Sequence, residues 1–250
     1  MRRCIGPAVL LAALALPALA DDKPAKDVPA DPAATKLLAK ARAARAQWEN
    51  FPGFRAKLAI NIDGKVTKGT VEVSAKGKVT VQATDAKPED VEWAKGELAQ
   101  IVGHRLDNSA TLDTPCAFLD DNKDHPLGRA IRVLNDEFHS SYRVRDRQII
   151  VVNRQMKDSR FTITMQENKL NKEKKYLPDS YVVNSWDKTG ALSSSAAYHQ
   201  TWKRVGDFDL PASVTIVTTK PDTPSADGSA PTGGQSTRSL KLTVHDLLKQ

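Results

Sequence analysis

The sequence predicts an α+β fold, a strongly curved antiparallel sheet (half-barrel) of about ten to twelve strands covered by two helices. Helical spacing of apolar residues is clear only over 31–50 and 88–103. Segments with apolar residues at every second position fill most of the remaining chain. Turns of a few residues join these segments, so the pattern does not predict a parallel sheet wound through crossover helices.

The first twenty residues have the pattern of a secretion signal. Arg2 and Arg3 precede an apolar run, and Ala18-Leu19-Ala20 follows it as a cleavage site. The run is too short to span a bilayer, which needs about 20 residues. We therefore expect a signal peptide at 1–20, a flexible tether at 21–30 and an exported protein of the periplasm or cell envelope. Loss of the two arginines lowers the net charge from +7 to +5.

Composition limits the remaining possibilities. With 40% hydrophobic residues over 250 positions, the chain can build one large domain, which we place at 31–250. A polytopic membrane protein and a disulfide-stapled miniprotein are excluded. Cys116 is the single cysteine outside the signal, so an intramolecular disulfide is excluded too. The weak positive charge does not indicate a nucleic-acid partner, and we expect a monomer.

Local signals place the two helices. Asp31-Pro32 starts the first, since Asp caps a helix and Pro suits its first turn. Its predicted apolar face consists of Leu37, Ala41, Ala44 and Trp48, and it ends near Asn50. Pro88-Glu89-Asp90 starts the second helix with acidic residues that the helix dipole favours. Its predicted apolar face consists of Val91, Ala94, Leu98, Ile101 and Val102.

The remaining chain divides into strands. Asp63-Gly64 is a strong hairpin turn between the first two. The Gly/Ser/Pro/Thr-rich stretch 221–237 predicts a mobile loop. The strands are expected near 54–62, 66–73, 79–83, 116–120, 129–134, 139–145, 147–156, 160–167, 179–187, 191–204, 212–219 and 238–245.

Two stretches resemble known proteins. The glycine-led strand 69–73 with 77–81, and the later meander with Leu177-Pro178, Trp202 and Leu210-Pro211, resemble the lipoprotein-carrier half-barrels of the bacterial envelope. That resemblance implies an unclosed sheet with helices on its concave side, which binds a hydrophobic or lipidic molecule without catalysis. The stretch 48–54 with His104-Arg105 resembles an uncharacterised exported family of cyanobacteria and planctomycetes, for which no activity is established.

The concave side offers two interpretations. Its apolar side chains could line a cavity for acyl chains, or they could form an ordinary dry core. His104 and Arg105 could guard the mouth of such a cavity, or they could be a cationic cap at the end of the second helix. The candidate ligand-binding residues are Trp48, Phe54, Leu58, Ile60, Leu98, His104 and Arg105.

A second function class is a structural or interaction module. Arg143, Arg145 and Arg147 alternate along a predicted strand and its turn, so they would form a cationic face for an anionic envelope partner or a membrane surface. The alternative is a solvated face. An ion-driven contact of this kind would weaken with added salt, whereas acyl binding would not.

Other chemistry has weaker signals. The acidic loop 120–124 lacks a closing glutamate, and the five histidines show no zinc spacing, so we expect neither a metal nor a cofactor. Cys116 suits a buried apolar position better than a reactive thiol. The cluster Asp136-Glu137 with His139 could serve a hydrolase, but it also fits a turn between strands. We assign no catalytic residue.

Overall fold

The computed structural model describes residues 28–106, 114–222 and 234–249. They form two helices and one twelve-stranded antiparallel sheet. The helices are α1 (Pro32–Ala43) and α2 (Pro88–Gly103). The strands are β1 (Gly53–Ile62), β2 (Lys65–Ser74), β3 (Val79–Gln82), β4 (Cys116–Phe118), β5 (Arg129–Val133), β6 (Ser141–Arg145), β7 (Gln148–Met156), β8 (Ser159–Leu170), β9 (Tyr176–Asp187), β10 (Leu192–Val205), β11 (Phe208–Lys220) and β12 (Gly234–Leu247).

The order of the strands confirms the predicted fold class. From edge to edge it is β3-β2-β1-β12-β11-β10-β9-β8-β7-β6-β5-β4. Every described pairing between named strands is antiparallel, and the outermost strands β3 and β4 do not pair with each other. The sheet is therefore an open half-barrel. One long-range pairing, β1 with β12, attaches the first hairpin to the rest of the sheet.

The start of α1 is as predicted, but its end is not. The Asp31 carboxylate accepts hydrogen bonds from the N–H groups of Ala33 and Ala34, as an N-cap should. The expectation that this helix reaches Asn50 is wrong. Beyond Ala43 the backbone pairs with the start of β9, where the Ala46 N–H donates to the Tyr176 carbonyl at 2.9 Å. Pairing with a strand thus replaces about two expected helical turns.

The buried face of α1 also differs from the predicted one. Its buried residues are Ala34, Leu38 and Ala41, so the predicted Ala41 is buried, whereas the predicted Leu37 is only half-buried. Trp48 is buried as well, but it belongs to the connection between α1 and β1 rather than to the helix. The second helix has the predicted bounds, and the predicted Ala94, Leu98, Ile101 and Val102 are all buried.

The two helices cover different parts of the sheet. α2 lies against β1 and β3, and α1 lies against β4, β6 and β7. The apolar interior therefore forms two clusters on one sheet, not one cluster under a common roof. The first cluster, under α2, includes Phe54, Leu58, Ile60, Leu98, Val214 and Leu240. The second, under α1, consists of Ala34, Leu38, Ala41, Cys116, Ile131, Val133, Tyr142 and Val144.

Strand ends show smaller differences. β8 continues to Leu170, into a lysine-rich stretch without strong strand signals. The predicted mobile loop at 221–237 is shorter at its end, because β12 begins at Gly234 and pairs with β11 from there. Residues 223–233 of that loop, the signal peptide and most of the tether lie outside the described residues.

Candidate functional site

A row of side chains crosses the concave face from one cluster to the other. Register places Tyr142, Val152, Ile163, Val183 and Ala196 side by side on β6 to β10. Tyr142 contacts α1 through the second cluster, which identifies this face as the concave one. The other four are half-buried. We call the concave side chains of β8, β9 and β10 the central strip.

A second row of the central strip contains aromatic side chains. Tyr181 of β9 faces Met165 of β8 and Tyr198 of β10. The two tyrosine rings stack with centroids 4.6 Å apart and planes 10° apart. All three side chains are half-buried. The strip is therefore apolar and aromatic, yet part of it is open to solvent.

Polar groups adjoin this aromatic pair. Gln200, which is 4% exposed, donates a hydrogen bond to the Tyr181 hydroxyl at 3.0 Å. Glu97 of α2, which is 8% exposed, lies close enough to raise the pKa of both tyrosines further, beyond the effect of their burial. Burial raises the pKa of Glu97 itself to about 7. Its carboxyl group therefore exchanges a proton near neutral pH.

The connection between α1 and β1 closes one end of the central strip. We call residues 44–49 the bridging segment. The Trp48 N–H donates to the Arg105 carbonyl at 2.6 Å, and the Trp48 indole N–H donates to the Asp209 carbonyl at 3.2 Å. With the bonds to β9, the segment is tied to the end of α2 and to two strands.

Arg105 lies beneath the bridging segment. It is 4% exposed, and its Nη1 donates to the Ala46 carbonyl at 3.1 Å. Its guanidinium carbon lies 5.7 Å from the ring centroid of Trp202. Burial, and to a smaller extent the charge of Arg45, lowers the pKa of Arg105 to about 10. The side chain is still protonated at neutral pH, so a positive charge is buried here.

Two more arginines share this environment. The Nε atoms of Arg45, Arg105 and Arg154 are all buried, and none of them has a hydrogen-bond partner among the described residues. Arg154 lies opposite Phe161 on β8, beside the central strip. In the described part of the chain none of the three arginines forms a salt bridge, although ten pairs are present elsewhere.

A cleft of about 360 Å³ opens on the outer side of the bridging segment. Arg45, Trp48, Lys175, Arg204 and Phe208 contribute to its lining. Arg204 is neutralised there by Glu173 and Asp209, with N–O distances of 2.5 and 3.0 Å. Arg45 has no such partner in the described ranges. The cleft therefore gives solvent access to an unpaired cation.

The predicted ligand-binding residues divide into two groups. Trp48, Phe54, Leu58, Ile60 and Leu98 come together, at most 3% exposed, in the first cluster. Their packing is that of a filled core under α2. His104 and Arg105 lie at the end of that helix, close to the central strip.

His104 is exposed to solvent although protein surrounds it on most sides. Partial burial, together with the positive charges of Arg105, Arg45 and Arg154, lowers its pKa to about 4.

Two of the three arginines of the predicted cationic face have polar partners. Arg143 bonds to the Gly128 carbonyl and lies 3.4 Å from the Asp120 carboxylate. Arg145 donates to the Pro126 carbonyl. Arg147 lies in the β6–β7 turn with a φ of 61°. Arg143 is therefore partly neutralised by Asp120, whereas Arg145 and Arg147 are exposed to solvent.

The other candidate groups have structural roles. Cys116 is fully buried, its Sγ–H donates to the Thr114 carbonyl at 3.2 Å, and burial raises its pKa. The Asp136 carboxylate accepts from the Ser140 N–H at 2.8 Å and so shapes the turn before β6. Within the described ranges, no three His, Cys, Asp or Glu side chains group as a metal site would require. Neither described helix is long and apolar enough to cross a membrane.

Comparison with known proteins identifies a family. The family described as "Protein of unknown function (DUF3386)" matches residues 30–228. The chain belongs to this family. The match contains every element from α1 to β11, including all residues of the central strip and the bridging segment. It agrees with the expectation of an uncharacterised family.

Other comparisons are weaker. No curated protein matches the DUF3386 chain. A structure of MucB in complex with MucA(peri) is 12% identical, covers 85% of this chain and 94% of that chain, and has a TM-score of 0.21. The Pseudomonas aeruginosa MucA/MucB complex is 10% identical with the same coverages and a TM-score of 0.19. Scores this low do not establish a common fold.

Sequence reasoning missed most of the polar residues at this site. Glu97 has a detectable signal, because it lies three residues after Ala94 and next to Leu98 on the apolar face of α2. Gln200 has a similar one, since it continues the alternation of Ala196 and Tyr198 on the concave face. Arg45 has none, because its position depends on where α1 ends.

Proposed function

We propose that this DUF3386 protein is an exported, non-enzymatic binding protein of the cell envelope. Its ligand would be a hydrophobic or lipid-like molecule held on the concave face between α1 and α2. The signal-like residues 1–20 support export. The central strip is the observation that supports binding.

The central strip differs from a finished core. Ile163, Met165, Tyr181, Val183 and Tyr198 form a contiguous apolar surface in the middle of the sheet, and each remains half-buried. Contiguous exposed apolar surface on a soluble protein commonly marks an interaction site. Its concave shape and the few polar groups at one end are typical of small-molecule sites. Five of the residues expected to bind ligand, Trp48, Phe54, Leu58, Ile60 and Leu98, are buried in the cluster beside this strip.

The helices provide a route for entry. α1 buries only two alanines and one leucine, so little apolar contact holds it to the sheet. α2 buries Ala94, Leu98, Ile101 and Val102 within the larger cluster. Movement of α1 away from β6 and β7 would lengthen the exposed strip. We therefore assign the more mobile role to α1.

Mass spectrometry of organic extracts from the purified protein tests this function. Wild-type protein should carry a copurifying lipid-like molecule. Val183→Arg, which places a charge on the central strip, should lower the bound amount by about tenfold or more. Val182→Arg is the matched control, because Val182 is half-buried on the opposite face of the same strand. Both variants must first show a wild-type circular dichroism spectrum.

Two outcomes would contradict the proposal. One is the absence of any copurifying molecule from wild-type protein, together with no uptake of an added fluorescent fatty acid. The other is an equal loss of ligand in Val183→Arg and Val182→Arg, which would indicate general damage to the sheet rather than loss of a binding surface.

A further inference from the structure

An unpaired positive charge lies buried at one end of the central strip. Arg105 is 4% exposed and protonated, but the only hydrogen bond of its side chain within the described residues goes to a backbone carbonyl. Removing a charge from water without an opposite charge costs several kcal/mol, roughly, so buried cations are normally paired. A native protein that keeps such a group needs a reason for it.

Arg45 adds a second cation to the same place. Its Nε is buried without a partner, and no hydrogen bond or salt bridge of its side chain occurs in the described part of the chain. It also lines the cleft of about 360 Å³, so it is accessible from outside. Arg154 and exposed His104 lie near enough for the charges to interact. All four groups are hydrogen-bond donors or potential cations.

The carboxylates nearby do not neutralise these groups. Glu97 faces Tyr181 and Tyr198 and forms no salt bridge in the described ranges. Of the four acids that line the cleft, Glu173, Asp207 and Asp209 pair with Arg204, and Glu49 forms no salt bridge within the described residues. The cluster of Arg45 and Arg105 therefore has unused donors and excess positive charge.

We propose that Arg45 and Arg105 form an anion subsite for the polar end of the ligand, a carboxylate or a phosphate carried by an amphipathic molecule. This inference rests on the proposed function and specifies its ligand class. The acyl portion would lie along the central strip, which includes the stacked rings of Tyr181 and Tyr198. Guanidinium groups suit this role, because their donors match the oxygens of carboxylate and phosphate.

Calorimetric titration of the intact mature chain tests the subsite with four probes: decanoate, decyl phosphate, decanol and inorganic phosphate. Wild-type protein should bind the two alkyl anions about tenfold or more tightly than decanol. Arg45→Gln should lower the affinity for both alkyl anions by about tenfold to a hundredfold, as expected for loss of a charge-assisted hydrogen bond. The affinity for decanol should change by less than about twofold.

The control and a second variant keep the result interpretable. Arg55→Gln removes the same charge from a side chain that is 66% exposed, and it should leave all affinities unchanged. Arg105→Lys keeps the buried charge but loses the planar donor pair, so alkyl-anion binding should weaken without loss of the fold. Because the Arg45 side chain supports no hydrogen bond among the described residues, its variant is expected to fold.

The outcomes separate the subsite from the proposed function. Equal affinity for decanoate and decanol, unchanged in Arg45→Gln, would overturn the subsite but leave hydrophobic binding intact. Binding of inorganic phosphate that depends on Arg45, without binding of any alkyl probe, would support an anion subsite and overturn the lipid-like ligand. No binding of any probe would overturn both.

Discussion

The same alternation of side chains gives a buried core at the ends of the half-barrel and a half-buried surface in its middle. At the β1 end, the row Ile60, Leu240 and Val214 is at most 5% exposed beside α2. Its next member on β10 is Gln200, a buried polar residue. The central strip then continues with half-buried side chains. Alternation thus specifies a face, and the presence of a packed helix decides whether that face becomes core or surface.

The largest expected effect compares two phenylalanines. Phe54→Ala, in the first cluster with 0% exposure, should lower the free energy of unfolding by about 3–5 kcal/mol. Phe161→Ala, on the half-buried central strip, should lower the free energy of unfolding by less than about 2 kcal/mol, because the phenylalanine ring buries less apolar surface there. Urea unfolding of both variants measures the difference. Equal losses would mean that the middle is packed like the ends.

The next effect concerns the boundary between the regions. The pKa of Glu97 in the folded protein, about 7, lies above its ordinary value of 4.5. The folded state therefore binds more protons between these pH values, and stability falls as pH rises through them. Glu97→Gln has no carboxyl group to ionise, so its stability should not fall in this pH range. Above pH 7 the free energy of unfolding of the variant should exceed that of wild type by about 3 kcal/mol. Below pH 4.5 the two values should lie closer together.

Thermal or urea unfolding of both proteins at several pH values checks this prediction. The lowered pKa of His104 acts oppositely, because it removes stability as pH falls. That contribution is common to both proteins and cancels in their difference. A difference that does not vary with pH would show that Glu97 titrates normally and is not buried against the tyrosines.

A smaller effect tests whether the α1 end is closed. Cys116 is fully buried in the second cluster, so its thiol should react with an aromatic disulfide reagent only after unfolding. Cys116→Ala should lower the free energy of unfolding by about 1 kcal/mol, because it removes one small buried atom. Rapid labelling of native protein would instead indicate that α1 opens readily.

The smallest effect concerns the predicted cationic face. Arg143→Gln and Arg145→Gln should change binding to vesicles of anionic phospholipid by less than about twofold. Both side chains already donate to backbone carbonyls, and Arg143 faces Asp120. Vesicle sedimentation at two salt concentrations measures the effect. A large, salt-dependent loss of binding would favour the interaction module over the concave site.

Most of the fold follows from sequence because its signals are local. The Asp31 cap, the start of α2 and the alternation in strands such as β1 and β6 act over a few residues, and each is present in the structure. The end of α1 does not follow, because Ala44 to Trp48 have ordinary helical residues. The competing interaction comes from Tyr176, which is more than 120 residues away in the chain.

The site is harder to predict for the same reason. Trp48 and Phe54 have the composition of a ligand pocket, but the same composition describes a filled core, and only packing distinguishes them. The pairing of Tyr181 with Tyr198 depends on register between two strands. The meeting of Arg45 with Arg105 depends on the unexpected end of α1. Each is a long-range property that no short segment contains.

The pairing of β1 with β12 has a consequence for how the chain folds. The first hairpin pairs with the remaining strands through β12, residues 234–247. Contacts between such distant segments form slowly, because a long loop must first be closed. The twelve-stranded sheet is therefore complete only when β12 has taken its place between β1 and β11, and that step should set the rate of refolding.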